Sequence, residues 1–143
     1  MSIVDEIINL SNVGLMLPVR VVGAKPPGAV DFNILIGHGL GSDNPKEKTH
    51  LLDRWVALVG NGTIATKKNT TIISYTARGH GSSHGWEESA DTDPRQFTWQ
   101  RLSSDMIALA DYYELPTFVT SGSSMGSGGH IIKYMYFSGN YPH

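Results

Sequence analysis

The residues best suited to chemistry lie near the end of the 143-residue chain. Gly122-Ser123-Ser124-Met125-Gly126 has the pattern G-x-S-x-G, a serine between two glycines spaced for a sharp turn. A serine hydroxyl attacks acyl carbonyls when such a turn lifts it clear of its neighbours and a base takes its proton. Gly122 and Gly126 suit that turn because a Cβ at either place would meet an adjoining strand or helix. A helix starting at Met125 would aim free N–H groups and its positive dipole end at the point where negative charge develops. The plainer alternative is a flexible loop, since Ser121 to Gly129 holds four Ser and four Gly.

Acyl transfer needs two N–H groups on the developing oxyanion. Met125, directly after the candidate nucleophile, offers one. His38-Gly39-Leu40-Gly41 follows an earlier apolar run, and Leu40 is the natural second donor, with Gly39 and Gly41 leaving the backbone bare. The alternative there is an ordinary turn. A third motif, Tyr75-Thr76-Ala77-Arg78-Gly79-His80-Gly81-Ser82-Ser83, reads as structural, with Arg78 able to tie down loop carbonyls. His80 and His84 are four apart but in a glycine-rich stretch rather than a helix, so no metal site is expected. With no cysteine in the chain, a disulfide scaffold, a thiolate-bound zinc and a cysteine nucleophile are all excluded.

Strands and helices must position these motifs. Leu15 to Val22 reads as strand, with Pro18 suggesting an edge position. Lys25-Pro26-Pro27-Gly28 is a turn, and Phe32 to Ile36 is a short apolar run of the kind buried on both faces. After a loop from Gly37 to Lys46, Glu47 to Val59 has helical spacing, with Leu51, Leu52, Trp55, Val56 and Val59 on one face. Gly60-Asn61-Gly62 stops it. Thr70 to Tyr75 is β-branched and aromatic, hence strand. Arg78 to Pro94 reads as an exposed polar loop; its stretch from Ser82 to Phe97, with Trp86, is surface that could edge a pocket. Thr98 to Tyr113 is the clearest helix, with Thr98 as N-cap and Leu102, Met106, Leu109, Ala110 and Tyr113 on one stripe. Thr117 to Ser121 is strand, and Met125 to Phe137 a last helix. Repeated β-loop-α units imply a mostly parallel sheet with helices on both faces, in one domain spanning residues 1–143.

Three motifs in this order, H-G-x-G, R-G-H-G-x-S and G-x-S-M-G, each after a strand, resemble the α/β-hydrolase superfamily over nearly the whole chain. The resemblance is to the serine esterase and lipase branch. Ser124 stands where the haloalkane dehalogenase and epoxide hydrolase branches carry Asp. What the resemblance implies is a serine hydrolase acting on an ester or related acyl small molecule. Ser124 is then the nucleophile, Leu40 and Met125 hold the oxyanion, and His38, Gly39, Gly122 and Gly126 support the loops. No cofactor or metal is implied. Thr76, where the family often has Asp or Pro, and Ser127, where it often has Gly, are departures that touch only loop structure.

In that family the acid and then the histidine base follow the nucleophile along the chain. Few residues follow Ser124 here, and His143 comes too early for the family's base. The expectation is an N-terminal portion of an α/β-hydrolase domain, lacking the C-terminal strands and inactive alone. A rewired triad using His38, His50, His80, His84 or His130 with Asp91 or Asp93 is conceivable, but His38 belongs to the oxyanion loop.

The competing readings are a non-catalytic truncated product that acts as a binding partner and a nucleotide-binding α/β protein. The second lacks both G-x-G-x-x-G and a Gly-Lys-Ser/Thr loop. Lys plus Arg total 11 against 13 for Asp plus Glu, a net charge of −2, which gives no reason to expect a nucleic-acid partner. No signal peptide or membrane span is legible, so a cytoplasmic protein is expected.

Overall fold

The computed structural model describes residues 2–23, 32–39, 50–60, 70–86 and 92–125. Six strands form one sheet: β1 (Ser2–Leu10), β2 (Leu15–Gly23), β3 (Phe32–Gly37), β4 (Thr70–Tyr75), β5 (His84–Gly85) and β6 (Val119–Gly122). Among the described residues two α-helices accompany them, α1 (His50–Gly60) and α2 (Trp99–Tyr112). The sheet order is β1-β2-β4-β3-β6, with β5 beside β2. The sheet is mixed: β4, β3 and β6 run parallel, whereas β1, β2 and β5 pair antiparallel at its front.

The chain steps from β3 to β4 in one direction and from β4 back past β3 to β6 in the other. With a single hand of crossover, opposite steps place the connecting helices on opposite faces. Two separate cores follow. On one face Leu52, Trp55, Val56 and Val59 of α1 meet Val22, Ile34, Ile36 and Ile72. On the other, Met106, Ala108, Leu109 and Ala110 of α2 meet Leu15, Leu17, Val19, Leu35 and Ile73. The helices on both faces and the α/β class are as expected.

Strand β1 had no counterpart in the sequence expectation. Ile3-Val4-Asp5-Glu6-Ile7-Ile8 places charges in pairs rather than alternately, so the period of two is hidden. The fold absorbs both charges. Asp5 pairs across the hairpin with Arg20 through two contacts of 2.7 and 2.8 Å, and Glu6 accepts from the Tyr113 hydroxyl at 2.6 Å. Gly14 closes the hairpin in the left-handed region, at φ 61°.

Pro18 corrects the edge expectation, because β2 lies inside the sheet between β1 and β4. The neighbour of β2 changes at this point, from β5 at Leu15 and Met16 to β4 from Val19 onward. The Pro18 carbonyl accepts from Thr76 N at 3.0 Å. In a strand, the N–H and C=O of one residue point the same way, so the missing donor faces this gap and costs no bond to β1.

Helix α2 starts as expected, with Thr98 Oγ1 accepting from Arg101 N at 3.2 Å. Thr98→Ala is expected to lower stability by about 1 kcal/mol in urea unfolding, the usual worth of such a cap. The expected turn at residues 25–28, most of the loop at 37–46, Leu40, Gly41, Gly126 and all but the first residue of the helix at 125–137 lie outside the described residues. Among the described residues, no helix is long and apolar enough to cross a membrane.

Candidate active site

The three sequence motifs converge at the carboxyl ends of the parallel strands. Gly37-His38-Gly39 leaves β3, Thr76 to His80 leaves β4, and Gly122-Ser123-Ser124 leaves β6. Open α/β sheets bind ligands at this edge, where the direction of the crossovers reverses. β3 and β6 are in register, with Gly37 opposite Gly122, and Ser123 N donates to Gly37 O at 3.4 Å. From the other side Trp55 of α1 donates its indole N–H to Ser121 Oγ at 2.9 Å, fixing β6 just before the turn.

Ser124 is solvent-exposed and has φ 52°, inside the left-handed region. That conformation costs an L-residue roughly 1–2 kcal/mol. A non-glycine held there marks a turn whose geometry is imposed by its surroundings. Met125, where the described stretch ends, is helical and packs against the α2-side core. Gly39 lies directly against the turn. A Cβ at that position would sit in ordinary van der Waals contact, 3.5 Å from Ser123 Oγ and 3.6 Å from Ser124 Cβ.

His38 is buried and bridges two loops. Its Nε2 accepts from Ala77 N at 2.8 Å, which leaves the proton on Nδ1 to be donated to Gly39 O at 2.7 Å. Both nitrogens therefore hold backbone, a role suited to shaping the loop rather than to exchanging protons with Ser124. The His80 ring stands edge-on to His38, with centroids 5.1 Å apart.

The loop after β4 is mostly exposed over its described residues, as expected, with Arg78 and Ser83 as buried exceptions. The Arg78 side chain is 1% exposed and grips Asp105 of α2, which is 2% exposed, through Nε and Nη2 at 2.9 and 2.8 Å. Nη2 also reaches the Val13 carbonyl at 3.1 Å, and Arg101 Nη2 meets the same oxygen at 3.0 Å. Arg78 thus does tie down a carbonyl, as expected, while its main partner is an acid that the sequence did not reveal. Burial pushes the Asp105 carboxyl above its ordinary value, against the opposing pull of Arg78 and then of Arg101. Ser83 closes the loop by donating to Thr76 O at 2.6 Å.

A cavity of about 750 Å³ opens beside the turn. Its described lining is Ser124 and Met125 from the turn, Arg78, Gly79 and His80 from the β4 loop, and Phe97, Trp99 and Leu102 at the start of α2. Phe97 fits because Gly79 has no side chain: with φ 71°, a Cβ there would collide with the Phe97 ring. Of the expected site residues, Ser124, Met125, His38, Gly39 and Gly122 gather at one end of the sheet. Of the stretch from Ser82 to Phe97, Phe97 lines the cavity while Trp86 is exposed surface; Trp99 was not foreseen, and its signal was an aromatic residue beside the Thr98 cap.

The strand order, the crossovers and the turn at Ser124 define the N-terminal part of the α/β-hydrolase fold. Among solved structures, the chain is similar to Epoxide Hydrolase A from Mycobacterium thermoresistibile, with a TM-score of 0.67 and 15% identity over 94% of this chain. It is similar to a laboratory-evolved variant of potato epoxide hydrolase, with a TM-score of 0.63 and 17% identity over 95% of this chain. A predicted CIB-like hydrolase from Thermoplasma acidophilum gives a TM-score of 0.68 and 17% identity over 96% of this chain. The chain spans 36% of the length of each of the two epoxide hydrolases and 58% of the Thermoplasma protein. No protein-family model matches the sequence, and no curated protein sequence does. At these identities, the likeness is one of fold.

Proposed function

We propose that the chain carries the nucleophile half of a serine hydrolase that cleaves a small-molecule ester or related acyl compound. The observation that carries this reading is Ser124, a non-glycine at φ 52° between a parallel strand and a helix start, beside a cavity. Ser124 Oγ attacks the acyl carbonyl, its proton passes to a base, and the C=O electron pair moves to oxygen. The backbone N–H groups of Met125 and Leu40 receive that oxyanion. Its collapse expels the alcohol, which takes the proton back, and water then releases the acid from the acyl-serine. The histidine base and the carboxylate that orients it are assigned to sequence following these 143 residues. The chain's 36% share of the epoxide hydrolases' length supports that assignment.

Epoxide opening is a second reading, suggested by the similarity to epoxide hydrolases. The nucleophile's chemistry disfavours it. A carboxylate attacking an epoxide gives an ester that water can cleave at its carbonyl. A serine oxygen would give an ether, with no carbonyl and no route to turnover. The two readings part on substrates given to the full-length protein. Steady hydrolysis of p-nitrophenyl butyrate with no diol from styrene oxide is expected; diol formation without ester cleavage would reverse the assignment.

A further inference from the structure

We infer that the cavity beside Ser124 is an acyl pocket for an uncharged aromatic acyl group of benzoyl size or larger. This rests on the serine hydrolase reading for the direction in which the substrate lies, but the pocket's selectivity stands on its own observations. The first is shape. A cavity of about 750 Å³ lies within the range of pockets that enclose whole small molecules, and it far exceeds what an acetyl group fills. The second is the wall. Phe97 and Trp99 flank Thr98, the residue that caps α2, and Leu102 follows one turn into the helix, so a rigid helix start presents two aromatic rings and an aliphatic side chain. Met125 faces them from the serine turn. Trp99 is 47% and Phe97 37% exposed, so flat apolar surface stands available for a ring to stack on.

The third observation is charge. Arg78 is the sole permanently charged residue among the described lining, and its guanidinium is spent on Asp105 and the Val13 carbonyl. A carboxylate on the acyl group would therefore meet no uncommitted permanent charge among the described lining and would lose its hydration. Selection follows from both terms: aromatic surface favours the aryl acyl group, and the committed arginine disfavours an anionic one.

The test uses the full-length protein and two non-hydrolysed probes, benzamide and its 4-carboxylate derivative. Binding is followed by calorimetry on the wild type and on Ser124→Ala. Benzamide is expected to bind both proteins alike and to compete with p-nitrophenyl benzoate, with the carboxylate derivative weaker by on the order of 10²-fold. Trp99→Ala should weaken benzamide roughly tenfold or more. Trp99→Lys, which installs a counter-ion in the wall, should shift the preference towards the carboxylate. Thermal melting of each variant separates loss of the pocket from loss of the fold.

Equal affinity for the two probes, or benzamide binding indifferent to both Trp99 variants, would overturn the inference and leave Ser124 untouched as nucleophile. Benzamide binding with the expected selectivity, in a protein that cleaves no ester, would uphold the pocket and remove the hydrolase reading instead.

Discussion

Replacing Ser124 by Ala is expected to lower kcat for ester hydrolysis by the full-length protein by roughly 10⁴- to 10⁶-fold, with little change in KM. The split follows from what the hydroxyl does. It forms a bond only as the carbonyl becomes tetrahedral, so its removal is felt in the transition state and not in the bound ester. The fold should tolerate the change. Ala meets the same left-handed φ of 52° as Ser and fills less of an exposed position. Ser124→Gly makes a sharper companion experiment. Glycine takes positive φ without penalty, so this variant should be equally inactive yet about 1 kcal/mol more stable in urea unfolding. A gain in stability coupled to loss of activity at one residue is the signature of strain held for function. Equal or lower stability of Ser124→Gly would mean that the turn is not strained.

Arg78→Ala is expected to cost about 3–5 kcal/mol of stability, the largest structural effect foreseen in the chain, because it leaves the Asp105 carboxylate buried without its partner. The loss should depend on pH in a defined direction. Burial already raises the Asp105 carboxyl, and removing Arg78 deletes the stronger of its two lowering neighbours, leaving Arg101. A carboxyl whose folded pKa lies above its unfolded value contributes stability fully below the unfolded value, and loses it as pH rises through the folded one. The variant's deficit should therefore be small in acid and grow towards neutral pH, as read from urea midpoints across that range. Arg78→Met combined with Asp105→Leu should recover most of the loss, since a buried pair exchanged for packed apolar side chains is often neutral or better. The Val13 carbonyl keeps Arg101 as its donor in that double variant. A pH-independent loss would show that Asp105 is not the group left exposed to burial.

What the sequence disclosed and what it hid divide along physical lines. Strand β4 and helix α2 were legible because each carries its own local signal, a β-branched run in one and a capped 3.6-residue stripe in the other. The serine turn was legible because G-x-S-x-G between a strand and a helix is itself local. Strand β1 was hidden because its two charges are adjacent and find their partners elsewhere, Arg20 across the hairpin and the Tyr113 hydroxyl at the C-cap of α2. Pro18 misled because its edge reading ignores a neighbour that changes partway along a strand. Asp105 was hidden for the same reason as β1. It lies among the buried residues of α2, yet only its partner on the β4 loop makes a buried acid tolerable, and no local pattern announces a partner so far along the chain. The aromatic wall likewise depends on Gly79 meeting Phe97 across space.

The central claim, that Ser124 is an activated nucleophile, is tested most directly by covalent labelling. The full-length protein is treated with a fluorophosphonate, and the modified peptide is located by mass spectrometry. The expected result is one adduct, on Ser124, absent from Ser124→Ala and slowed by a competing ester. No adduct on the wild type, or an adduct that persists in Ser124→Ala, would contradict the account.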